Sequence, residues 1–192
     1  MSEEYFEALL HLIKRDDQPL PLVRAGSHWI IAENEITEQP GLFCLWWDRP
    51  ERSWSENGAL KLRWLNNREP YQIVPLTIQS ELVRVRPRHK FPLLLENAHN
   101  IRKRLEWQLM LEIPKVDFSD DRLSVFSLNI SPFRRVIDQV YNEYDDVRPL
   151  FTSHLRISQV TLPDDRLVPL RTFLFHYALG NLRPICNIDF GA

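Results

Sequence analysis

The residues best suited to chemistry form a basic segment between positions 84 and 104. This segment holds seven basic residues and one acidic residue, Glu96. The basic residues are Arg84, Arg86, Arg88, Lys90, Arg102, Lys103 and Arg104. Such side chains neutralise phosphates, and each contact releases counterions, so that binding depends on salt. The alternative is a solvated helix face beside a charged edge strand that prevents edge-to-edge pairing.

A cluster of tryptophans provides a second candidate surface. Four of them lie within nineteen residues: Trp46, Trp47, Trp54 and Trp64. The dipeptide at 57–58, Asn-Gly, predicts a two-residue hairpin turn, whose register places Trp54 on one strand face with Arg52, Lys61 and Arg63. Because an exposed indole among cations can stack on a base, we assign these four residues to the same anion-binding surface. The alternative is a Trp54–Lys61 cation–π pair that only covers its own strand.

Histidines and carboxylates suggest a different class of function, cleavage of a phosphodiester. His154 and His176 would lie nearly opposite each other on a C-terminal hairpin and act as general acid and base. Three acidic residues precede a predicted strand, Asp117, Asp120 and Asp121. A Mg²⁺ site would also need an acid-x-Lys element on a neighbouring strand, and residues 112–115 miss that spacing by one and contain a proline. We therefore predict no catalytic residue and no metal ligand, and an enzyme remains an alternative.

Glycine and cysteine usage excludes other classes. The chain has five glycines, no two closer than eleven positions, whereas phosphate-cradling loops need two or three within about eight residues. A nucleotide cofactor is therefore not expected, and we predict no cofactor. The two cysteines, Cys44 and Cys186, are expected to be a reduced pair, which favours the cytoplasm over an oxidising compartment.

The composition is that of an ordinary globular protein. The 192 residues are 44% hydrophobic and 26% charged, with 24 basic and 26 acidic residues and a net charge of −2. The longest apolar run, residues 42–47, is far below the roughly 18 residues that span a bilayer. The N-terminus is acidic and does not read as a secretory signal. We expect a cytoplasmic protein with no membrane partner.

The elements that position these residues are predicted to form a single α+β domain over residues 1–192. Helical spacing of apolar residues predicts three helices, over about 2–15, 94–113 and 132–145. Alternating and continuous apolar stretches predict an antiparallel meander sheet over about 28–86, a further strand over 123–130, and a C-terminal β-hairpin that joins 155–162 to 167–177.

The sequence thus predicts a non-catalytic, cytoplasmic binding or adaptor subunit of a larger assembly. Its basic segment and aromatic strand surface would engage an anionic partner, for which nucleic acid is favoured. One alternative is a protein–protein interaction module that docks an acidic surface or self-associates. Another is the phosphodiester-cleaving enzyme, and a third is a sugar-binding domain with Trp46, Trp47 or Trp54 as platforms.

Overall fold

The computed structural model describes residues 3–15, 17–48, 59–66, 72–79, 90–116 and 130–187. Its helices are α1 (Glu3–Arg15), α2 (Ile101–Leu109), α3 (Pro132–Val140), α4 (Arg148–His154) and α5 (Val168–Leu182). Its strands are β1 (Gln18–Pro19), β2 (Leu22–Ala25), β3 (His28–Ile31), β4 (Gly41–Trp47), β5 (Ala59–Asn66), β6 (Gln72–Gln79), β7 (Phe91–Ala98) and β8 (Leu155–Thr161). The predicted α+β class is confirmed.

An antiparallel sheet with the strand order β1-β8-β4-β7 forms the centre of the molecule. Every residue of β4 is buried, and its side chains alternate between two hydrophobic clusters. Phe43, Leu45 and Trp47 belong to one cluster, with buried residues of α2, α3 and α4. The alternate residues of β4 belong to the other, with buried residues of α1 and α5. The sheet is therefore covered by helices on both faces.

The outer side of β7 is covered by the segment that follows α5. The Cys186 N–H donates to the Leu93 carbonyl (2.6 Å), and the Asn187 amide bonds both the N–H and the carbonyl of Leu95 (2.7 Å each). Leu45 pairs with Leu94 but Trp46 pairs with Pro92, so Leu93 is the extra residue of a β-bulge. These contacts satisfy backbone groups that an open sheet edge would expose.

Two further antiparallel strand pairs lie outside this sheet. In the first, β2 pairs with β3 through a turn in which Gly26 has a φ of 64°, the conformation that a type II′ turn requires of its first central residue. In the second, β5 pairs with β6 over eight residue pairs, from Ala59–Gln79 to Asn66–Gln72. Within the described ranges, no helix combines the length and the apolar composition that crossing a bilayer requires.

The predicted helix over residues 94–113 is wrong in its first part. Residues 94–98 complete β7, and the helix begins only at Ile101, after Asn100, whose side chain accepts a hydrogen bond from the Lys103 N–H at 2.8 Å. The buried residues Leu94, Ala98 and Ile101 do share one cluster. A strand that is buried on both faces has a continuous apolar run, which helical spacing also fits.

The predicted C-terminal hairpin is also wrong, since residues 168–182 form α5. Leu170, Leu174, Ala178 and Leu182 supply a buried stripe at i, i+4 spacing, and Pro169 in the first turn is typical of a helix start. The first strand of that hairpin is present as β8.

The remaining predicted elements agree more closely with those of the structure. The third helix ends at Val140 and not near 145, and α4 is an additional helix. Strands do occur between 28 and 86, but β4 pairs with β7 and β8 and not with its neighbours in sequence. The turn at 57–58 lies outside the described residues, as does all but the last residue of the predicted strand over 123–130.

Candidate anion-binding groove

The predicted site residues separate into a part that the structure describes and a part that it does not. Arg52, Trp54, Arg84, Arg86 and Arg88 lie outside the described residues. Lys61 and Arg63 belong to β5, at positions paired with Thr77 and Pro75 of β6. Lys90, Arg102, Lys103 and Arg104 are described with their side chains, and they occupy three different places.

Lys90, at the start of β7, is held against α1 and β8. Its ammonium group forms an ion pair with Asp17, donates to the Lys14 carbonyl (2.8 Å) and lies 4.9 Å from the centre of the Trp46 ring. Asp17 also pairs with Arg156. Partial burial lowers the pKa of Lys90, and the positive charge of Arg156 acts in the same direction. Lys90 therefore joins elements of the fold at this position.

Arg102 faces a groove of about 430 Å³ between α2 and the β2–β3 hairpin. Its guanidinium donates to the carbonyls of Ile31 (2.9 Å) and Ala32 (3.2 Å) and pairs with Glu106 at 3.2 Å. Three glutamates line this groove, Glu33, Glu106 and Glu112. Arg102 thus fastens β3 to α2 and lies in acidic surroundings.

Lys103 and Arg104 line a different groove, of about 420 Å³, at the junction of β7 and α2. Its other lining residues come from the end of β7, the connection to α2, and α2 itself: Glu96, Asn97, Ala98, His99, Asn100 and Trp107. We call this the β7–α2 groove. In this groove Lys103 and Arg104 of the predicted basic segment lie beside the aromatic side chain of Trp107.

The start of α2 fixes the geometry of the groove. Asn100 caps the helix, and the next two backbone N–H groups bond to the carbonyls of Gln39 (3.4 Å) and Thr37 (3.1 Å). Its first turn contains Arg102 and Lys103 and no acidic residue. Cations at the positive end of a helix are unfavourable and strengthen the positive potential there.

Arg104 and Trp107 form a stacked pair on α2. The guanidinium carbon of Arg104 lies 4.2 Å from the centre of the Trp107 ring, and the Trp107 side chain is 40% exposed. Arg104 also makes two hydrogen bonds to Glu96, each of 3.1 Å. The adjacent Lys103 side chain is exposed. The pair therefore presents a flat aromatic and guanidinium surface beside an exposed ammonium group.

A buried arginine lies next to this groove. Arg171 of α5 is 2% exposed, and its terminal nitrogen is 3.4 Å from Nδ1 of His99, which lines the groove. Among the described residues, His99 is its one hydrogen-bonding partner, and its Nε has none. Because the guanidinium donates, Nδ1 of His99 accepts, which places the ring proton on Nε2.

Two residues that line this groove, His99 and Trp107, and the neighbouring Arg171 were not assigned to the site from the sequence. Trp107 had a detectable signal, because it lies three and four positions after Arg104 and Lys103 on a predicted helix. His99 and Arg171 are 72 positions apart, and only the packing of α5 against β7 brings them together.

The residues of the enzyme alternative are not brought together where the structure describes them. His154 ends α4 and packs on Trp47 with ring centres 5.4 Å apart, whereas His176 is exposed on α5. The hairpin that would have aligned them is absent, since α5 is a helix. Asp117, Asp120 and Asp121 lie outside the described residues, and within them no cluster of three potential metal ligands occurs.

The buried tryptophans and cysteines have structural roles. Trp46 and Trp47 are buried, so they cannot be sugar-binding platforms. Cys44 and Cys186 are free and buried, in different hydrophobic clusters. Burial raises the pKa of both thiols, which keeps them protonated.

No protein-family model matches the chain, and comparisons with characterised proteins and with solved structures also find no match.

Proposed function

We propose that this protein is a cytoplasmic, non-catalytic binding or adaptor subunit that engages single-stranded nucleic acid in the β7–α2 groove. The observation that carries the proposal is the stack of Arg104 on the exposed ring of Trp107, beside the exposed Lys103. Proteins recognise unpaired bases by stacking them on aromatic and guanidinium planes while cations track the phosphates.

The charges of the groove support an anionic ligand. Lys103 lies in the first turn of α2, where the helix dipole adds to its positive potential. Glu96 neutralises part of the Arg104 charge, so Arg104 is better suited to stacking than to phosphate neutralisation. Together these features favour a ligand with alternating aromatic and anionic groups.

The other predicted cations stay part of the proposal as additional phosphate contacts. Arg84, Arg86 and Arg88 precede Lys90 in the sequence, and Trp54, Arg52, Lys61 and Arg63 remain a prediction for a second stacking position. The free cysteines, each buried in a separate cluster, fit a reducing compartment.

Fluorescence anisotropy tests the proposal directly. Labelled single-stranded and double-stranded oligonucleotides would be titrated at several salt concentrations with the wild type, Lys103→Ala and Lys14→Ala. We expect tighter binding of single strands. Loss of one phosphate contact in Lys103→Ala should reduce the slope of log K against log salt by about 0.7.

Lys14→Ala is the matched control, because Lys14 is also an exposed lysine near a helix end but lies on α1, away from the groove. Its salt slope should equal that of the wild type. Equal slopes for all three proteins would contradict the proposal, and binding of acidic polypeptides in place of oligonucleotides would favour a protein partner.

A further inference from the structure

A comparison with Arg134 shows what is unusual about Arg171, which lies next to the β7–α2 groove. Both arginines are buried. The guanidinium of Arg134 pairs with Asp138 at 3.1 Å and donates to backbone carbonyls, among them those of Leu109 (2.8 Å) and Ile113 (3.0 Å). A buried charge is tolerated when it is paired and hydrogen-bonded in this way.

The guanidinium of Arg171 lacks such compensation. In the described part of the chain it has no carboxylate partner and donates to no backbone carbonyl, and its contact with Nδ1 of His99 is long at 3.4 Å. Within the described residues, the Nε atom has no hydrogen-bonding partner in either arginine. Arg171 also lies in the first turn of α5, which has no side-chain cap, so the positive end of that helix adds to the uncompensated charge. An anion at this position would pair with the guanidinium and would also be stabilised by the positive end of α5.

His99 lies between this charge and the groove. Its side chain is exposed and lines the groove, while its Nδ1 faces the Arg171 guanidinium. It belongs to the two-residue connection between β7 and α2. For a ligand in the groove to reach the guanidinium, the imidazole would have to turn aside about its side-chain bonds.

We propose that Arg171 and His99 form a subsite for a terminal phosphate group. A guanidinium binds phosphate oxygens with two parallel hydrogen bonds, and the imidazole provides a further donor. Because Arg171 is 2% exposed, a group at the end of a chain can reach it, whereas a phosphodiester within a continuous strand would have to bring both neighbouring nucleotides along. The identification of the phosphate with an oligonucleotide end rests on the proposed function.

Oligonucleotides of one sequence that carry a phosphate at the 5′ end, at the 3′ end, or at neither end test the subsite. The wild type should bind one phosphorylated form about ten- to a hundredfold more tightly than the unphosphorylated strand, as a charged hydrogen-bonding group warrants. In Arg171→Met this preference should disappear, while affinity for the unphosphorylated strand stays within about twofold of the wild type because stacking and Lys103 contacts remain.

The fold of Arg171→Met is checked by its thermal midpoint. Replacing an uncompensated buried cation by an apolar side chain of similar length is expected to leave the midpoint equal or raise it. If the variant does not fold, Arg171→Lys takes its place, and the preference should fall at least severalfold because lysine lacks the bidentate geometry.

A titration with inorganic phosphate separates the subsite from the proposed function. Phosphate should shift the NMR signals of the His99 ring in the wild type and not in Arg171→Met. If these shifts occur while no oligonucleotide binds, the subsite stands and the nucleic-acid function fails. If oligonucleotides bind through Lys103 but neither phosphorylated end is preferred and phosphate shifts nothing, the subsite is overturned and the function stands.

Discussion

At the scale of single residues, the surroundings of each charge decide whether it holds the fold or remains available for a ligand. Three cations donate to carboxylates and backbone carbonyls of the fold: Arg134, Lys90 and Arg102. Lys103 is exposed, and Arg171 is buried without a carboxylate among the described residues. Burial lowers the pKa of Arg134, and the neighbouring Asp138 opposes that shift.

The Arg134 cluster yields a stability prediction. Arg134→Ala would remove the cationic partner of the buried Asp138 carboxylate and the guanidinium donor of several carbonyls. We expect a loss of about 3–5 kcal/mol in the free energy of unfolding. Urea denaturation measures it. The control Arg15→Ala, at an exposed position at the end of α1, should change stability by less than about 0.5 kcal/mol. A similar loss in the free energy of unfolding of both variants would show that the contacts of Arg134 do not stabilise the fold.

A second residue-scale prediction concerns Glu96, which neutralises Arg104 in the β7–α2 groove. Glu96→Gln keeps the size of the side chain, removes its charge and replaces one of the two acceptor oxygens that hold Arg104 by an amide group that donates. We expect tighter oligonucleotide binding and a salt slope steeper by up to about 0.7, since Arg104 becomes free to neutralise a phosphate. Glu33→Gln, in the other groove, is the matched control and should not change the affinity. Unchanged binding by Glu96→Gln would place the ligand elsewhere.

At the scale of elements, the position of α2 depends on the close approach of β4 and β8. A Cβ atom on Gly41 would clash with the Val160 carbonyl oxygen and come within 3.1 Å of the Ile101 side chain at the start of α2. No such contact exists at Gly180 in α5, where a Cβ atom meets nothing within 4 Å.

These two glycines form a natural pair of variants. Gly41→Ala should destabilise the protein by about 1–3 kcal/mol or more because the sheet or α2 must shift. Gly180→Ala should be neutral or stabilise it by up to about 1 kcal/mol, since alanine is the better helix former. Thermal unfolding compares them. A Gly41→Ala protein as stable as Gly180→Ala would contradict the close packing.

Elements with local signals were predictable from the sequence. Residues 131–140 contain a serine suited to capping a helix, followed by apolar residues at helical spacing. The structure confirms that Ser131 accepts a hydrogen bond from the Arg134 N–H at 3.0 Å. β7 was not predictable, because an apolar run that is buried on both sides fits a strand or a helix equally well. In α5 the buried stripe was obscured, because Phe173 and Phe175 place further apolar side chains between Leu170, Leu174 and Ala178. Which strand pairs with β4 depends on contacts distant in sequence, which local patterns do not encode.

The residues of the candidate site also divide into those that the sequence predicts and those that it does not. Lys103 and Arg104 were identified from charge alone. Their separation from Lys90 and Arg102 was not predictable, because it depends on where Asp17 and Ile31 lie in the fold. The approach of Arg171 to His99 follows from the packing of a helix against the end of a strand.

At the scale of the whole molecule, α2 contributes to two grooves of different charge. Glu33, Glu106 and Glu112 line the groove beside β2 and β3, with Arg102 engaged by Glu106. Lys103 and Arg104 line the β7–α2 groove with Trp107. Although the net charge is only −2, an acidic and a basic groove lie on either side of α2. This arrangement would orient an anionic ligand as it approached.

Photochemical cross-linking tests most directly whether nucleic acid occupies the β7–α2 groove. An oligonucleotide would be cross-linked to the wild type by ultraviolet light. The cross-linked protein would then be digested with trypsin, and the peptides that carry an adduct would be identified by mass spectrometry. We expect the principal adduct on the peptide of residues 105–115, at Trp107, and its loss in Trp107→Ala with affinity reduced by about 1–3 kcal/mol. Adducts confined to other peptides, with Trp107→Ala binding as the wild type does, would contradict the proposed function.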